Sequence, residues 1–365
     1  MTSTQGGPFA RLRFTVAVLI LVSIVATLVV NAALPLSNTD TYFHLRFGQE
    51  FLHGWSIRHP GSVSSFATRE WVPTQWLSEV VMAKVEDWFG LAGVAWLSGL
   101  QFLVLAMCLY VAARRWAEPF AAAAIVGVAL LASSAGISMR PQVLSYALIA
   151  LTTAAWLRTR DDGRPRWWLI PLTWLWALLH GMWPVGIIIG VAALAGLTLD
   201  RAQPSRRLLQ LAAVPLGSAV AAAVTPVGPA LYGAVVVVSG RTKYFSEWQS
   251  PNFAEPDKAL LAVLLGLLVV ALFRSPAPRS WTQILLVLTA CAAALYSART
   301  DPVAAMMAVP LLAQEVQRFL PGPLSWSRVE KIALPAMIVA GLAALAIVVP
   351  RTADAPAADL SQVDA

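Results

Sequence analysis

An acid and an imidazole one helical turn apart are the residues of this chain best suited to moving a proton. They lie in Asn38-Thr39-Asp40-Thr41-Tyr42-Phe43-His44-Leu45, directly after an apolar run from Phe14 to about Leu36. A helix starting near Asp40 puts Asp40, Phe43, His44, Phe47 and Phe51 at i, i+3, i+4, i+7 and i+11, close to one face. Asp40 and His44 can then touch. Asn38 or Thr39 caps such a helix, and the dipole of its first turn favours Asp40 as the carboxylate. Ionisable groups at the mouth of an apolar span are costly without a task, so this stretch reads as the catalytic end.

The elements that must position these groups are membrane helices. Hydrophobic residues make up 58% of the 365 and charged residues 12%, about half the roughly 25% of a soluble domain. Apolar stretches of the length that crosses a bilayer recur along the chain. The expected fold is all-α and polytopic, a single domain over residues 1–349 with about eleven transmembrane helices and a disordered tail at 350–365. After the first run, spans are expected at Leu91–Ala113, Pro119–Ile137, Val143–Leu157, Trp167–Leu179, Trp183–Leu199, Leu208–Val224, Ala259–Phe273, Trp281–Ser297, Val303–Val316 and Ile332–Val349. Ala230–Val238 is too short to cross and reads as re-entrant or interfacial. The first run is too long for a signal-peptide core and reads as a retained helix.

Residues 37–89 form a long loop after the first span. Its second half, Thr74–Trp88, sets Leu77, Val81, Val85 and Trp88 on one side, with Gln75, Ser78, Glu79, Glu86 and Asp87 largely on the other. That pattern predicts an amphipathic helix lying in the membrane interface. Most of the 26 basic residues fall in loops on the side of the N-terminus, including Arg114, Arg115, Arg158, Arg160, Arg206 and Arg207. The positive-inside rule therefore predicts a cytoplasmic N-terminus in a plasma membrane. The net charge of +7 is spread over short loops and does not form the patch a nucleic acid would need, so nucleic acid is excluded as a partner. Cys108 and Cys291 lie in apolar runs and read as small buried hydrophobes.

This topology carries Asp40, His44, Arg140, His180, Glu247 and Arg299 to the outer side, although they are far apart in sequence. One outward-facing site is the economical reading. Arg140 sits in the tight turn Ser138-Met139-Arg140-Pro141-Gln142, and His180 in the short link His180-Gly181. Glu247-Trp248-Gln249-Ser250-Pro251 reads as a recognition loop in which Trp248 can stack on a sugar or anchor at the interface. Arg299 is of the residue type suited to holding a phosphate. The plainer alternative for both arginines is snorkelling to headgroups. No phosphate loop, HExxH, CxxC or GxSxG is present, and the apolar runs lack the mid-span charges of an ion relay.

The run Asp40-Thr41-Tyr42-Phe43-His44-Leu45-Arg46-Phe47-Gly48, then Trp71 and Trp76-Leu77-Ser78-Glu79, resembles a large bacterial family of polytopic proteins. It is similar to the GT-C glycosyltransferase superfamily, which includes the dolichyl-phosphate-mannose protein mannosyltransferases. The likeness continues through Arg140-Pro141-Gln142, His180-Gly181, Glu247 to Pro251 and Arg299 to Pro302. It implies a polyprenyl-phosphate-linked sugar donor, a cell-envelope glycan, lipid or protein acceptor, and an acid in the first outer loop that acts on the acceptor. Asp40 matches that acid. On this resemblance Asp40 is a general base in an inverting transfer and His44 orients it. Arg140 and Arg299, with Arg241 or Lys243, stabilise the departing lipid phosphate. The sequence departs from the relatives at Asn38, where a second acid is usual, and at Thr300, where a histidine is usual. It identifies no cofactor and no metal ligands; participation of a divalent ion stays open. An inactive relative serving as a cell-envelope scaffold, and a transporter of lipid or lipid-linked sugar, are the competing readings.

Overall fold

The computed structural model describes residues 8–36, 38–62, 71–201, 203–239, 246–276 and 278–352. Among these, every α-helix and 3₁₀ turn belongs to one all-α assembly. The helices are α1 (Pro8–Ala33), α2 (Thr39–Leu52), α3 (Trp76–Arg114), α4 (Pro119–Ala132), α5 (Gln142–Asp162), α6 (Leu169–Leu179) and α7 (Trp183–Leu199). They continue with α8 (Ser205–Ala223), α9 (Ala230–Ser239), α10 (Pro256–Arg274), α11 (Trp281–Tyr296), α12 (Asp301–Phe319) and α13 (Arg328–Thr352). α13 runs past the expected end of the domain at residue 349, and the rest of the expected tail lies outside the described residues.

Among the described residues, four helices are long and apolar enough to cross a membrane by length and composition: α1 over Arg11–Ala33, α3, α10 and α13 over Arg328–Val349. The expectation of about eleven crossings is corrected to that extent. Each expected apolar segment is helical, but helicity and length part company. α4, α6, α7 and α11 have 14, 11, 17 and 16 residues, short of the ~20 that span a hydrocarbon core. α5, α8 and α12 are longer, but their ends carry charge: Arg158 to Asp162, Arg206 and Arg207, and Glu315 with Arg318.

α12 is the axis of the bundle. Every residue from Asp301 to Glu315 is buried, as expected for a helix apolar on all sides, and α3, α4, α5, α10 and α11 surround it. α1 and α13 pack on each other at the periphery and leave Leu19, Val22, Val30, Val339 and Ile347 exposed, a surface suited to hydrocarbon. Cys108 and Cys291 are free and half-buried.

Two glycines set the geometry around the first loop. Gly90 breaks α3 (φ 62°, ψ −164°), a backbone that residues with a Cβ rarely adopt. The predicted boundary between interfacial helix and second span falls on this residue. At Gly48 a Cβ would lie 2.0 Å from the Glu79 carbonyl oxygen, so only glycine lets α2 lie directly on α3. The amphipathic segment is present, but its polar face does not face solvent as the pattern alone suggests. Ser78 and Glu79 are buried, and Gln49 Nε2 donates to Glu86 Oε2 at 2.8 Å. Glu79 and Glu86 meet α2 and Ser78 donates to the Leu179 carbonyl of α6, while Asp87 and, on the apolar side, Val81 and Trp88 are left exposed.

The end of the bundle holding the α3 C-terminus is locked by Arg114, which is fully buried. Its guanidinium donates to Glu330 Oε1 at 2.7 Å and Oε2 at 3.1 Å, and to the carbonyls of Ala117, Leu324 and Ser325. Tyr110 donates to the same Glu330. These bonds tie α3 to the start of α13.

Candidate functional site

The site is built at the opposite end of α1. Asn38 caps α2, accepting a hydrogen bond from the Asp40 N–H at 3.0 Å, which fixes Asp40 in the first turn. Thr41 Oγ1 donates to the Met139 carbonyl at 2.8 Å and seats α2 on the turn between α4 and α5. That turn presents Arg140, whose Nε donates to Ser138 Oγ at 2.9 Å and whose Nη1 donates to Asp40 Oδ2 at 2.7 Å. The same Nη1 lies 3.8 Å from Glu247 Oε2.

Glu247 stands on the 3₁₀ turn Ser246–Trp248 and pairs with Arg299 on the 3₁₀ turn Ala298–Thr300. A backbone bond from Ala298 N to Gln249 O, 3.0 Å, clamps the two turns together. The Trp248 ring lies 5.4 Å from the Arg299 guanidinium carbon and meets Tyr296 edge-on. Asp40, Arg140, Glu247 and Arg299 thus form a row of alternating charge. The arginine side chains are 12% and 25% exposed, the carboxylates 48% and 38%. Ion pairs with such exposed carboxylates contribute little, about 0–1 kcal/mol. Arg140 keeps its bond to Ser138 Oγ and Arg299 its contact with the Trp248 ring when their carboxylate partners are exchanged for another anion at small cost.

His44 does not take Asp40 as its partner, which corrects the expected contact across one turn. Its Nδ1 lies 3.0 Å from Glu79 Oε1 and 3.2 Å from the Gln75 side-chain amide. α3, packed tightly at Gly48, reaches His44 before the exposed Asp40 does. Glu79 is fully buried and its Oε2 has no protein partner.

His180 Nδ1 is an acceptor. The Trp176 indole N–H donates to Ser145 Oγ at 2.8 Å, and that hydroxyl lies 2.9 Å from His180 Nδ1. The Met182 N–H also approaches that nitrogen, at 3.4 Å. Burial, followed by the charges of Arg299, His44 and Arg140, holds the imidazole pKa well below its ordinary value. His180 is accordingly neutral, with its proton on Nε2. Asp40, His44, Arg140, His180 and Arg299 together line a cavity of about 120 Å³. Arg140 and Arg299 also line a larger neighbouring one of about 320 Å³, with Glu247. Five expected site residues therefore meet in one cavity and Glu247 joins from the next. Trp248 and Gln249 serve the clamp beside them. Arg241 and Lys243 lie outside the described residues.

Glu79 and Asp301, which lie within the motifs of the resemblance, and Ser145 take no role from the sequence. Glu79 reads there as one more polar residue on a solvated face, and only the packing of α2 reveals its burial. Among the described residues no group of three or more His, Cys, Asp or Glu could hold a metal ion.

Compared with known proteins, the chain matches no family model and no curated sequence.

Proposed function

We propose that this protein is a multi-pass membrane glycosyltransferase that takes its sugar from a polyprenyl-phosphate-linked donor. The observation that carries the reading is a path from an apolar groove to paired arginines. Leu19, Ile20, Ile24 and Leu28 of α1 and Leu130 and Leu131 of α4 line a groove of about 420 Å³. It shares Asn31 and Ile137 with a cavity of about 230 Å³ that reaches Asn38, Thr41 and Ser138. Ser138, in the lining of that cavity, accepts from Arg140 Nε at 2.9 Å, and Thr41 stands next to Asp40 in α2. A lipid tail in the groove delivers its phosphate to Arg140 and Arg299, and the exchangeable carboxylates Asp40 and Glu247 give way to it.

The chemistry follows from that exchange. Guanidinium groups and the His180 Nε2–H stabilise negative charge on the phosphate oxygens as they leave. Asp40, released from Arg140, accepts the proton of the acceptor hydroxyl while that oxygen attacks the anomeric carbon. The carbon–phosphate-oxygen bond breaks, polyprenyl phosphate departs, and the anomeric configuration inverts. His44, held by Glu79, faces the same cavity and orients the reacting groups. The site lies on the outer face of the plasma membrane, where sugar donors are lipid-linked, with the exposed apolar side of residues 76–89 along the interface. The acceptor is a cell-envelope glycan, lipid or protein.

The test is a transfer assay with the purified chain in nanodiscs and radiolabelled polyprenyl-phosphate-linked sugars. Protein-dependent release of polyprenyl phosphate with label on an acceptor or on water supports the reading. Donor left intact while labelled lipid moves between leaflets would make the protein a transporter, and neither activity would make it a scaffold.

A further inference from the structure

The larger cavity contains polar groups that the transfer chemistry leaves unused. It lies beyond the arginine row, between the end of α4, the segment 250–258 and the start of α12. Two of its lining side chains are buried and have an oxygen without a protein partner: Ser133 Oγ and Asp301 Oδ1, in residues 2% and 4% exposed. A buried polar atom left unpaired costs about 1–3 kcal/mol, and here two line one cavity. Burial raises the Asp301 carboxyl to about 7, so near neutral pH it can either donate or accept.

The other charges around the cavity are already compensated. Lys258 pairs with Glu255 and lies 3.4 Å from Asp257, and Arg299 pairs with Glu247. A cationic ligand would enter beside Lys258 and Arg299. An anion would enter beside Asp301, Glu255 and Asp257. A neutral ligand rich in hydroxyls meets neither repulsion, and Ser133 and Asp301 offer it donors and acceptors. Through Arg140, Gln142 and Arg299 the cavity adjoins the smaller one that holds Asp40.

We infer that this cavity is a carbohydrate subsite in which Ser133 and Asp301 bind the hydroxyls of a neutral sugar ring. The inference deepens the proposed transfer reaction by placing its sugar. It stands on groups that the phosphate reading does not use.

The test is saturation-transfer NMR on the full chain in detergent, using glucose, mannose, galactose and arabinose, with glucosamine and glucuronate as cationic and anionic probes. At least one neutral sugar is expected to bind, and more tightly than either charged probe. Ser133→Ala and Asp301→Asn should each weaken it about fivefold or more. Ser133→Ala removes a hydroxyl with no protein partner, so an unchanged melting temperature shows that the loss is local. Binding of polyprenyl phosphate to the same samples is followed separately and should survive both substitutions. No neutral sugar binding to the wild type, equal binding to both variants, or preference for a charged probe would overturn the subsite. Sugar binding with no polyprenyl phosphate binding would overturn the phosphate reading alone.

Discussion

Asp40→Asn is expected to lower sugar transfer by about 10²–10⁴-fold, the contribution of a positioned general base, while polyprenyl phosphate binds at least as well as before. Asparagine has nearly the same shape, and its carbonyl oxygen can still accept from Arg140. The Asn38 cap uses the backbone N–H of residue 40, so α2 keeps its start. Only the capacity to take a proton is removed, along with a negative charge that competes with phosphate for Arg140. Steady-state transfer and lipid-binding measurements on the same preparation separate the two effects. A variant that binds and transfers at the wild-type rate would leave Asp40 as no more than the counter-ion of Arg140.

Arg114→Ala is expected to have the largest effect on stability, a loss of about 3–5 kcal/mol, because it leaves the buried Glu330 carboxylate without its cation. The substitution also frees the carbonyls of Ala117, Leu324 and Ser325. Replacing Arg114 and Glu330 together by apolar residues of similar size should recover much of the loss, since the desolvation of both charges is then avoided. Denaturant or thermal unfolding in a fixed detergent reads both. Gly90 to Arg114 spans about 36 Å of helix, so transfer per folded molecule should be little changed. Equal stability of Arg114→Ala and wild type would mean that α13 is held by its apolar contacts alone.

The readable parts of the fold were those encoded locally. Apolar runs mark helices, Asn38 marks the start of α2, and Gly90 marks the break in α3, each through the chemistry of a few neighbouring residues. Arg140 stood out because a charged residue occupied a tight turn between apolar runs. Partner choice was not local. Spacing alone offered His44 to Asp40, and the close approach of α3 at Gly48 gave it to Glu79 instead. Spacing likewise assigned Ser78 and Glu79 to a solvated face, because an amphipathic pattern does not say which of its sides meets protein. The number of crossings was overcounted because the same apolar composition serves a lipid-facing helix and a protein-enclosed one. α12, buried from Asp301 to Glu315, and the 14-residue α4 show that ambiguity. Nothing in the sequence pairs Ser133 with Asp301, since their unpaired oxygens exist only once α4 and α12 are packed.

Every role proposed for the site depends on a lipid tail lying between α1 and α4 with its phosphate on Arg140 and Arg299. Photo-crosslinking with a diazirine-bearing polyprenyl phosphate in nanodiscs, mapped by mass spectrometry, tests it most directly. Label is expected within residues 16–31 and 127–137, displaced by unlabelled polyprenyl phosphate and lost in Arg140→Ala/Arg299→Ala. Label spread over α10 and α13, or label indifferent to those two arginines, would contradict it.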